Sequence, residues 1–108
     1  MKQWDIYLFP FSQEQPHPAV ILSHDDRCQR CDQVNALICS SARLNRALHE
    51  NEIVLDKSDG LNWKTGCRCD VIYLLPKSHF REKRGEVSPE RQRQIARKLN
   101  ECLRLKAW

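Results

Sequence analysis

The sequence predicts a mainly β domain that ends in a single helix. Short apolar or alternating stretches, each bounded by Pro, Gly or polar turn residues, read as five successive strands. One strong helix signal follows them near the C-terminus. Strands followed by a helix favour a small, strongly bent antiparallel sheet or barrel with the helix packed on it. With 108 residues and no repeat or linker, the chain is expected to form one domain, 1–108.

The five predicted strands have distinct patterns. The first alternates large side chains and stops near Pro10, the second is nearly all apolar, and the third places Val34, Ala36 and Ile38 on one face. The fourth precedes the turn signal "KSDG", and the fifth ends at Pro76. Their ranges are 4–11 (WDIYLFPF), 19–23 (AVILS), 34–41 (VNALICSS), 51–56 (NEIVLD) and 65–75 (TGCRCDVIYLL).

The intervening segments are polar. Prolines mark 12–18 as a loop, and 24–33 (HDDRCQRCDQ) reads as a long loop. A short helical turn or loop is predicted for 42–50, and a turn plus loop for 77–87. The final helix is signalled by Ser88 at the N-cap and Pro89 at the first helical position. Its apolar stripe contains Ile95, Leu99, Cys102 and Leu103.

Charge and composition bound the function. A net charge of +4 suits a polyanionic partner, although such mild basicity is weak support on its own. No apolar run approaches the roughly 18 residues of a membrane span, and the N-terminus lacks a signal-peptide pattern. We therefore expect a cytoplasmic protein, in which the six cysteines are reduced thiols, metal ligands or catalytic groups.

The cysteines allow a metal site. Cys28 and Cys31 have zinc-ligand spacing, but the other half would be Cys67-x-Cys69, whose thiols leave one face of a strand about 7 Å apart. Burial as small apolar side chains is the simpler interpretation. It predicts packed positions for Cys39, Cys67, Cys69 and Cys102. Cys28 and Cys31, in a polar loop, are then free thiols or a weak adventitious metal site.

Arg68 and Asp70 leave the opposite face of the same predicted strand, which Ile72 and Leu74 would share. An ordinary surface ion pair is one interpretation, and such a pair contributes little stability. A cation for a phosphate beside a carboxylate for proton transfer is the other. Spacing alone leaves both open.

The order of motifs resembles the MazF/PemK toxins of bacterial type II toxin–antitoxin modules. The segments that carry the resemblance are "WDIYLFPF", "HPAVILS", "VNALICSS", "NEIVL", "DGLNWKTGCRCDVIYLLPKSHF" and "RGEVSPERQRQIARKLNECL", which cover nearly the whole chain. The resemblance implies an SH3-like barrel of five to seven strands with a C-terminal helix, usually a homodimer. It also implies cleavage of single-stranded RNA without metal or cofactor, through attack of the ribose 2′-OH that leaves a 2′,3′-cyclic phosphate. An antitoxin would bind in the RNA groove and inhibit.

The resemblance also implies roles for particular residues. "RCD" matches the PemK/Kid branch, so Asp70 becomes the base and Arg68 the acid or phosphate stabiliser; we favour a phosphate clamp, because an arginine seldom gives up a proton. His17 stands where the MazF branch has Arg, and as an imidazole it is the more natural acid. Ser40 is expected to bond a phosphate oxygen. The expected RNA contacts are Ser41, Arg43, Arg81, Lys83 and Arg84, and Trp63 and Phe80 are the candidates for stacking on bases.

Three alternatives stay open at this point. The same fold is found in gyrase-poisoning toxins that lack nuclease activity. A zinc-dependent nucleic-acid-binding module would use Cys28, Cys31, Cys67 and Cys69. A catalytically weakened member of the family is the third, since His17 replaces an arginine.

Overall fold

A computed structural model describes residues 1–11 and 15–106, and its centre is a curled antiparallel sheet of seven strands. The strands are β1 (Asp5–Phe9), β2 (His17–Ile21), β3 (Gln33–Ser40), β4 (Glu52–Leu55), β5 (Thr65–Arg68), β6 (Tyr73–Pro76) and β7 (Lys83–Glu86). Two α-helices are α1 (Asp25–Arg30) and α2 (Pro89–Leu103), and short 3-10 helices cover Ser41–Asn45, Lys57–Asp59 and Lys77–His79. A mainly β fold with a C-terminal helix is thus confirmed.

Strand β3 organises the sheet. The strand order is β4-β5-β3-β2-β1-β7, and β6 pairs with β3 as well. Leu37 and Cys39 point into an inner core, which also holds Ile95 of α2. Val34, Ala36 and Ile38 point into a second, outer core on the other side of the sheet. A strand buried on both faces needs consecutive apolar side chains, which β3 has from Ala36 to Cys39.

The first four predicted strands are confirmed with shifted ends. The largest change is at β2, which begins at His17 and pairs with β1 through Phe9↔His17. The prolines had suggested a loop up to residue 18, but Pro18 is accommodated inside the strand. Residues 12–14 of that predicted loop lie outside the described residues.

The fifth predicted strand is wrong as one continuous element. Both of its halves pair with the same edge of β3, through Cys39↔Cys67 and Ala36↔Tyr73. Six steps along the chain separate Cys67 from Tyr73, but only three separate Cys39 from Ala36, so three extra residues bulge out between β5 and β6. A bulge of odd length reverses the face of everything that follows.

This reversal corrects the predicted faces. Tyr73 was expected beside Cys67 but shares the outer face with Ala36, and Leu75 is buried in the outer core opposite Val34. Leu74 no longer lies on the face of Arg68. The sequence does not show where such residues are inserted. Odd and even positions therefore predict the face of a side chain correctly only as far as Arg68.

Two polar segments contain structure that their composition hid. The predicted loop 24–33 contains α1, where the side chain of His24 accepts a hydrogen bond from the backbone of Asp26. One turn of α1 puts Cys28 into the outer core, so the prediction of Cys28 in a polar loop is wrong. The basic segment 77–87 contains β7 besides the expected turn.

Helix α2 is confirmed as predicted at its start. The Ser88 hydroxyl accepts from the Arg91 backbone N–H at 3.4 Å, and the buried carboxylate of Asp59 accepts from the Ser88 N–H at 2.9 Å. Asp59 thereby fixes the start of α2 against the connection between β4 and β5. No helix within 1–11 and 15–106 has the length and apolarity to cross a bilayer.

Candidate functional site

Arg68 and Asp70 form a two-pronged ion pair at the end of β5. Arg68 Nε donates to Asp70 Oδ1 at 2.7 Å, and Nη2 donates to Oδ2 at 3.2 Å. Strand β5 ends at Arg68, so Asp70 stands in the bulge rather than on a continuous strand. The bulge turns the carboxylate back toward the guanidinium two residues earlier.

The pair is accessible and charged. Half of the Arg68 side chain and 27% of the Asp70 side chain are exposed. The hydrogen bonds from Arg68 hold the pKa of Asp70 below its usual value, and those same bonds raise the pKa of Arg68. Asp70 is therefore ionised at neutral pH and able to accept a proton. The pair uses two of the five N–H groups of the guanidinium, which leaves others for an anion.

A second, buried carboxylate lies beside Arg68, on the adjacent strand β4. Glu52 pairs with Arg68 in the β4–β5 ladder, and its side chain is only 2% exposed. Arg46 donates to both of its oxygens, at 2.7 and 3.0 Å, and the Glu52 pKa falls to about 2. Sequence reasoning missed Glu52, because a charge in "NEIVLD" looks like an ordinary strand end. The only signal was an acidic residue directly before the apolar run Ile53-Val54-Leu55.

Glu52 also fixes the turn that precedes β4. The His49 N–H donates to Glu52 Oε1 at 2.8 Å, and the His49 carbonyl accepts from the Glu52 N–H at 3.0 Å. The Asn51 carbonyl accepts from the Cys69 N–H at 2.8 Å. The turn 49–52 is thus tied both to its own strand and to the segment between Arg68 and Asp70.

These elements enclose a cavity of about 260 Å³, which we call the Asp70 pocket. Its lining is almost entirely charged or polar and comprises Arg46, His49, Glu50, Asn51, Glu52, Arg68 and Asp70. A pocket that combines an accessible, ionised carboxylate, two guanidinium groups and an imidazole can bind an anion and move protons.

His17 and Ser40 meet in a neighbouring cavity of about 530 Å³, the His17 pocket. Its lining is more apolar and comprises Leu8, Gln15, Pro16, His17, Pro18, Ser40, Ser41, Ala42 and Trp63. The β2–β3 register, extended by two residues from Ala19↔Ile38, puts His17 opposite Ser40. Ser40 pairs with Gly66, so Arg68 lies on the same face but two residues further along.

The same register gives the spacing of the two pockets. Two strand spacings and two residue steps separate the Cα atoms of His17 and Arg68, or roughly 12 Å. The structure therefore brings His17 together with Ser40, and Arg68 together with Asp70, as two adjoining groups on one face of the sheet.

The predicted RNA contacts fall into different environments. Ser41 lines the His17 pocket, and its hydroxyl donates to the Lys64 carbonyl at 3.0 Å. Arg43 lies across β3 and β5, where Nη1 donates to the carbonyls of Ile38 and Gly66 at 2.6 and 2.9 Å. With Nε also 3.5 Å from Glu52, the Arg43 guanidinium has a structural role.

The basic residues near β7 are also spread out. Arg84 lies over the Trp63 ring at 5.0 Å, which places it beside the His17 pocket. Lys83 contacts Glu86 at 2.7 Å and Asp5 at 3.3 Å, and Arg81 is exposed. Trp63 packs partly on the inner core, whereas Phe80 packs on the outer core against Phe9. Of these residues, Arg84 and Trp63 are thus the two that adjoin the His17 pocket.

The thiols fall into separate places. Cys28 belongs to the outer core, whereas Cys39, Cys67 and Cys69 belong to the inner core. Contact with neighbouring thiols and burial raise the pKa values of Cys67 and Cys69, which keeps both protonated. Among residues 1–11 and 15–106, no three His, Cys, Asp or Glu side chains gather in a way that would hold a metal ion.

Comparison with protein families matches residues 2–103 to one described as the PemK-like, MazF-like toxin of type II toxin–antitoxin systems. The chain belongs to this family. The match covers the two pockets, the bulge and all of α2. A comparison with curated protein sequences gave no match.

Solved structures support the family's fold in this chain. A mycobacterial endoribonuclease, solved in complex with its cognate antitoxin, is 20% identical with a TM-score of 0.81, and the alignment covers 100% of this chain and 97% of that one. A MazE–MazF structure from Deinococcus radiodurans is 17% identical with a TM-score of 0.80, and the alignment covers 98% of this chain and 97% of that one. A MazF toxin of Mycobacterium tuberculosis is 16% identical with a TM-score of 0.79, and the alignment covers 95% of this chain and 99% of that one. At these identities the likeness concerns the fold.

Proposed function

We propose that this toxin is an endoribonuclease that cleaves single-stranded RNA without a metal ion and so stops growth until its antitoxin binds. The observation that carries the proposal is the exposed Arg68–Asp70 ion pair in a polar pocket on one face of the curled sheet. Membership of the toxin family and likeness to endoribonuclease folds support it. We place its action in the cytoplasm, as one toxin domain over 1–108.

In the proposed reaction, Asp70 takes the proton of the ribose 2′-OH, and the resulting oxyanion attacks the adjacent phosphorus. A 2′,3′-cyclic phosphate forms as the bond to the 5′-oxygen breaks. Arg68 binds the phosphate oxygens, because its planar fork suits them and stabilises the charge that develops on them. The phosphate competes with Asp70 for the guanidinium, which leaves the carboxylate freer to act as the base.

The His17 pocket fits the neighbouring nucleotide. The Cα atoms of His17 and Arg68 lie roughly 12 Å apart on one face of the sheet, so an RNA strand bound at Arg68 can continue over the His17 pocket. The Ser40 hydroxyl and the His17 ring would bond the flanking phosphate or base. Trp63, with Arg84 over its ring, offers an aromatic surface for stacking.

The partners follow from the same surface. A cognate antitoxin would inhibit by covering the two pockets, and its segment would carry carboxylates to match Arg46 and Arg68. We also propose a homodimer through exposed apolar side chains beside β6. Phe11 and Tyr73 lie with ring centroids 5.5 Å apart, and Ile72 and Leu74 are further exposed apolar side chains in or next to the same edge strand. Replacing Leu74 with lysine should give monomers in light scattering, and a persistent dimer would refute this interface.

The activity test is cleavage of a mixed single-stranded RNA in excess EDTA. Wild type is expected to cut and leave 2′,3′-cyclic phosphate ends, whereas Asp70→Asn should lose at least about a hundredfold in rate. Asp26→Asn is the control, because Asp26 is an exposed carboxyl on α1. Full activity in Asp70→Asn would remove Asp70 from the mechanism. If wild type cuts no RNA but inhibits DNA gyrase, the chain is a poison of the same fold instead.

A further inference from the structure

We propose that His49 donates the proton to the departing 5′-oxygen. This inference rests on the proposed RNA cleavage and concerns a step that Asp70 and Arg68 leave incomplete. A 5′-alkoxide is a poor leaving group unless it is protonated as the bond breaks. Neither member of the Arg68–Asp70 pair is suited to that task, since Asp70 is ionised and an arginine holds its proton too tightly.

His49 is the imidazole that lines the same pocket as Asp70. The other charged groups that face this pocket are Arg46, Glu50 and Glu52 on its own side and Arg68 and Asp70 on the β5 side. Imidazole is the side chain that enzymes use most often for general acid–base transfer, so among these groups it is the one suited to donate the proton. His17 lies in the adjoining pocket with Ser40.

The backbone holds His49 at this wall of the pocket. Its N–H and its carbonyl both bond Glu52, at 2.8 and 3.0 Å, and Arg46 in turn holds both oxygens of that carboxylate. The same turn bonds the Cys69 N–H through the Asn51 carbonyl, at the residue between Arg68 and Asp70. Acid and base therefore stand on two segments that are hydrogen-bonded to each other. The buried glutamate therefore fixes the backbone of His49, so that its side chain starts from a defined point on the pocket wall.

The step balances as follows. Asp70 takes the 2′-OH proton, the 2′-oxygen bonds to phosphorus, and the bond from phosphorus to the 5′-oxygen breaks. The protonated ring of His49 gives its proton to that 5′-oxygen, which leaves as a hydroxyl. Solvent then takes the proton from Asp70 and returns one to His49, and no oxidant, reductant or metal takes part.

A sulfur substitution separates the acid from the base. Wild type is first used to map a cut in a long single-stranded RNA. A short RNA of that site is then made twice, once normal and once with sulfur in place of the bridging 5′-oxygen. Sulfur leaves as a thiolate and needs no proton. His49→Ala should lose roughly 10²–10³-fold on the normal RNA and return close to wild type on the sulfur-bridged RNA.

The controls distinguish the possible outcomes. Asp70→Asn should stay inactive on both RNAs, because the base is still required. His24→Ala, which removes an exposed histidine outside both pockets, should behave as wild type. His49→Ala should also flatten the alkaline side of the pH–rate profile on normal RNA.

Several results would overturn the inference. Unchanged activity of His49→Ala would do so, as would a loss on both RNAs, which would indicate a positioning or folding role. Rescue of His17→Ala by sulfur, with His49→Ala unaffected, would make His17 the donor. If wild type cuts neither RNA, the proposed nuclease function fails and the inference fails with it, whereas a failure confined to His49 leaves the nuclease intact.

Discussion

Replacing Glu52 with glutamine tests whether the buried carboxylate holds the wall of the Asp70 pocket. The substitution keeps the shape of the side chain but removes the charge that Arg46 bonds through two hydrogen bonds. An amide can still accept from the His49 N–H, so the turn loses strength rather than every contact.

The magnitude follows from the pKa of Glu52. It lies at about 2, against 4.5 for an ordinary glutamate, chiefly because Arg46 bonds the ionised form. A difference of that size corresponds to about 3 kcal/mol in favour of the folded state at neutral pH. The side chain of Arg46 is 43% exposed, so solvent screening weakens the ion pair and reduces this stabilisation. We expect Glu52→Gln to lower the free energy of unfolding by about 2 kcal/mol, or the Tm by roughly 8 °C.

The sign of the pH dependence is fixed by the direction of the pKa. Because the folded-state pKa is the lower one, this stabilisation is complete above pH 4.5 and disappears as the pH falls toward 2. Urea unfolding at equal protein concentration should show the gap between wild type and Glu52→Gln shrink to less than half between pH 7 and pH 3. Glu50→Gln, a change to the exposed glutamate of the same turn, should alter stability by less than about 0.5 kcal/mol at both values. A gap of equal size at pH 7 and pH 3 would refute the electrostatic account of Glu52.

Three further substitutions test Arg68, the packing of Arg43 and the start of helix α2. Arg68→Lys keeps a charge but loses the fork, so RNA cleavage should fall by at least about tenfold in single-turnover assays, and wild-type rates would contradict the clamp. Gly66→Ala places a Cβ 3.0 Å from the Arg43 Cβ. We expect it to displace Arg43 and to cost about 1–2 kcal/mol in chemical denaturation, and no change would mean that the side chain gives way freely. Ser88→Ala removes the cap of α2 and should cost about 1 kcal/mol, whereas Ser88→Asp should retain most of it.

Much of the fold could be predicted because local patterns agree with the tertiary structure. The apolar run of β3 and the Ser-Pro start of α2 have the burial and the cap that they predict. The bulge between β5 and β6 left no such sign, because "CRCDVIYLL" continues an alternating pattern through residues that leave the ladder. Helix α1 was missed because one short turn needs only Cys28 to be buried, and its other side chains are polar.

The candidate site was predictable only in part. Arg68 and Asp70 stand two residues apart, so their contact needs little more than local geometry. His49 and Glu52 were overlooked because their relation to Asp70 depends on the pairing of β4 with β5. In that ladder Glu52 pairs with Arg68, which brings the buried carboxylate to the site. The sequence alone does not show which residues of two strands are paired. Arg43 was expected to face a ligand, but the short 3-10 helix after β3 turns it back over the sheet.

The bulge between β5 and β6 makes the length of the chain at this point as important as its residues. Adding or removing one residue there would return Leu75 to the opposite face of the sheet and exchange the surroundings of every side chain in β6. Turning Leu75 out of the core would alone cost about 1.5–3 kcal/mol. At Val71 and Ile72, which lie in this bulge outside the core, substitutions can therefore be accepted far more readily than insertions or deletions. Among related toxins, the number of residues in the bulge should therefore vary less than the side chains at the positions of Val71 and Ile72.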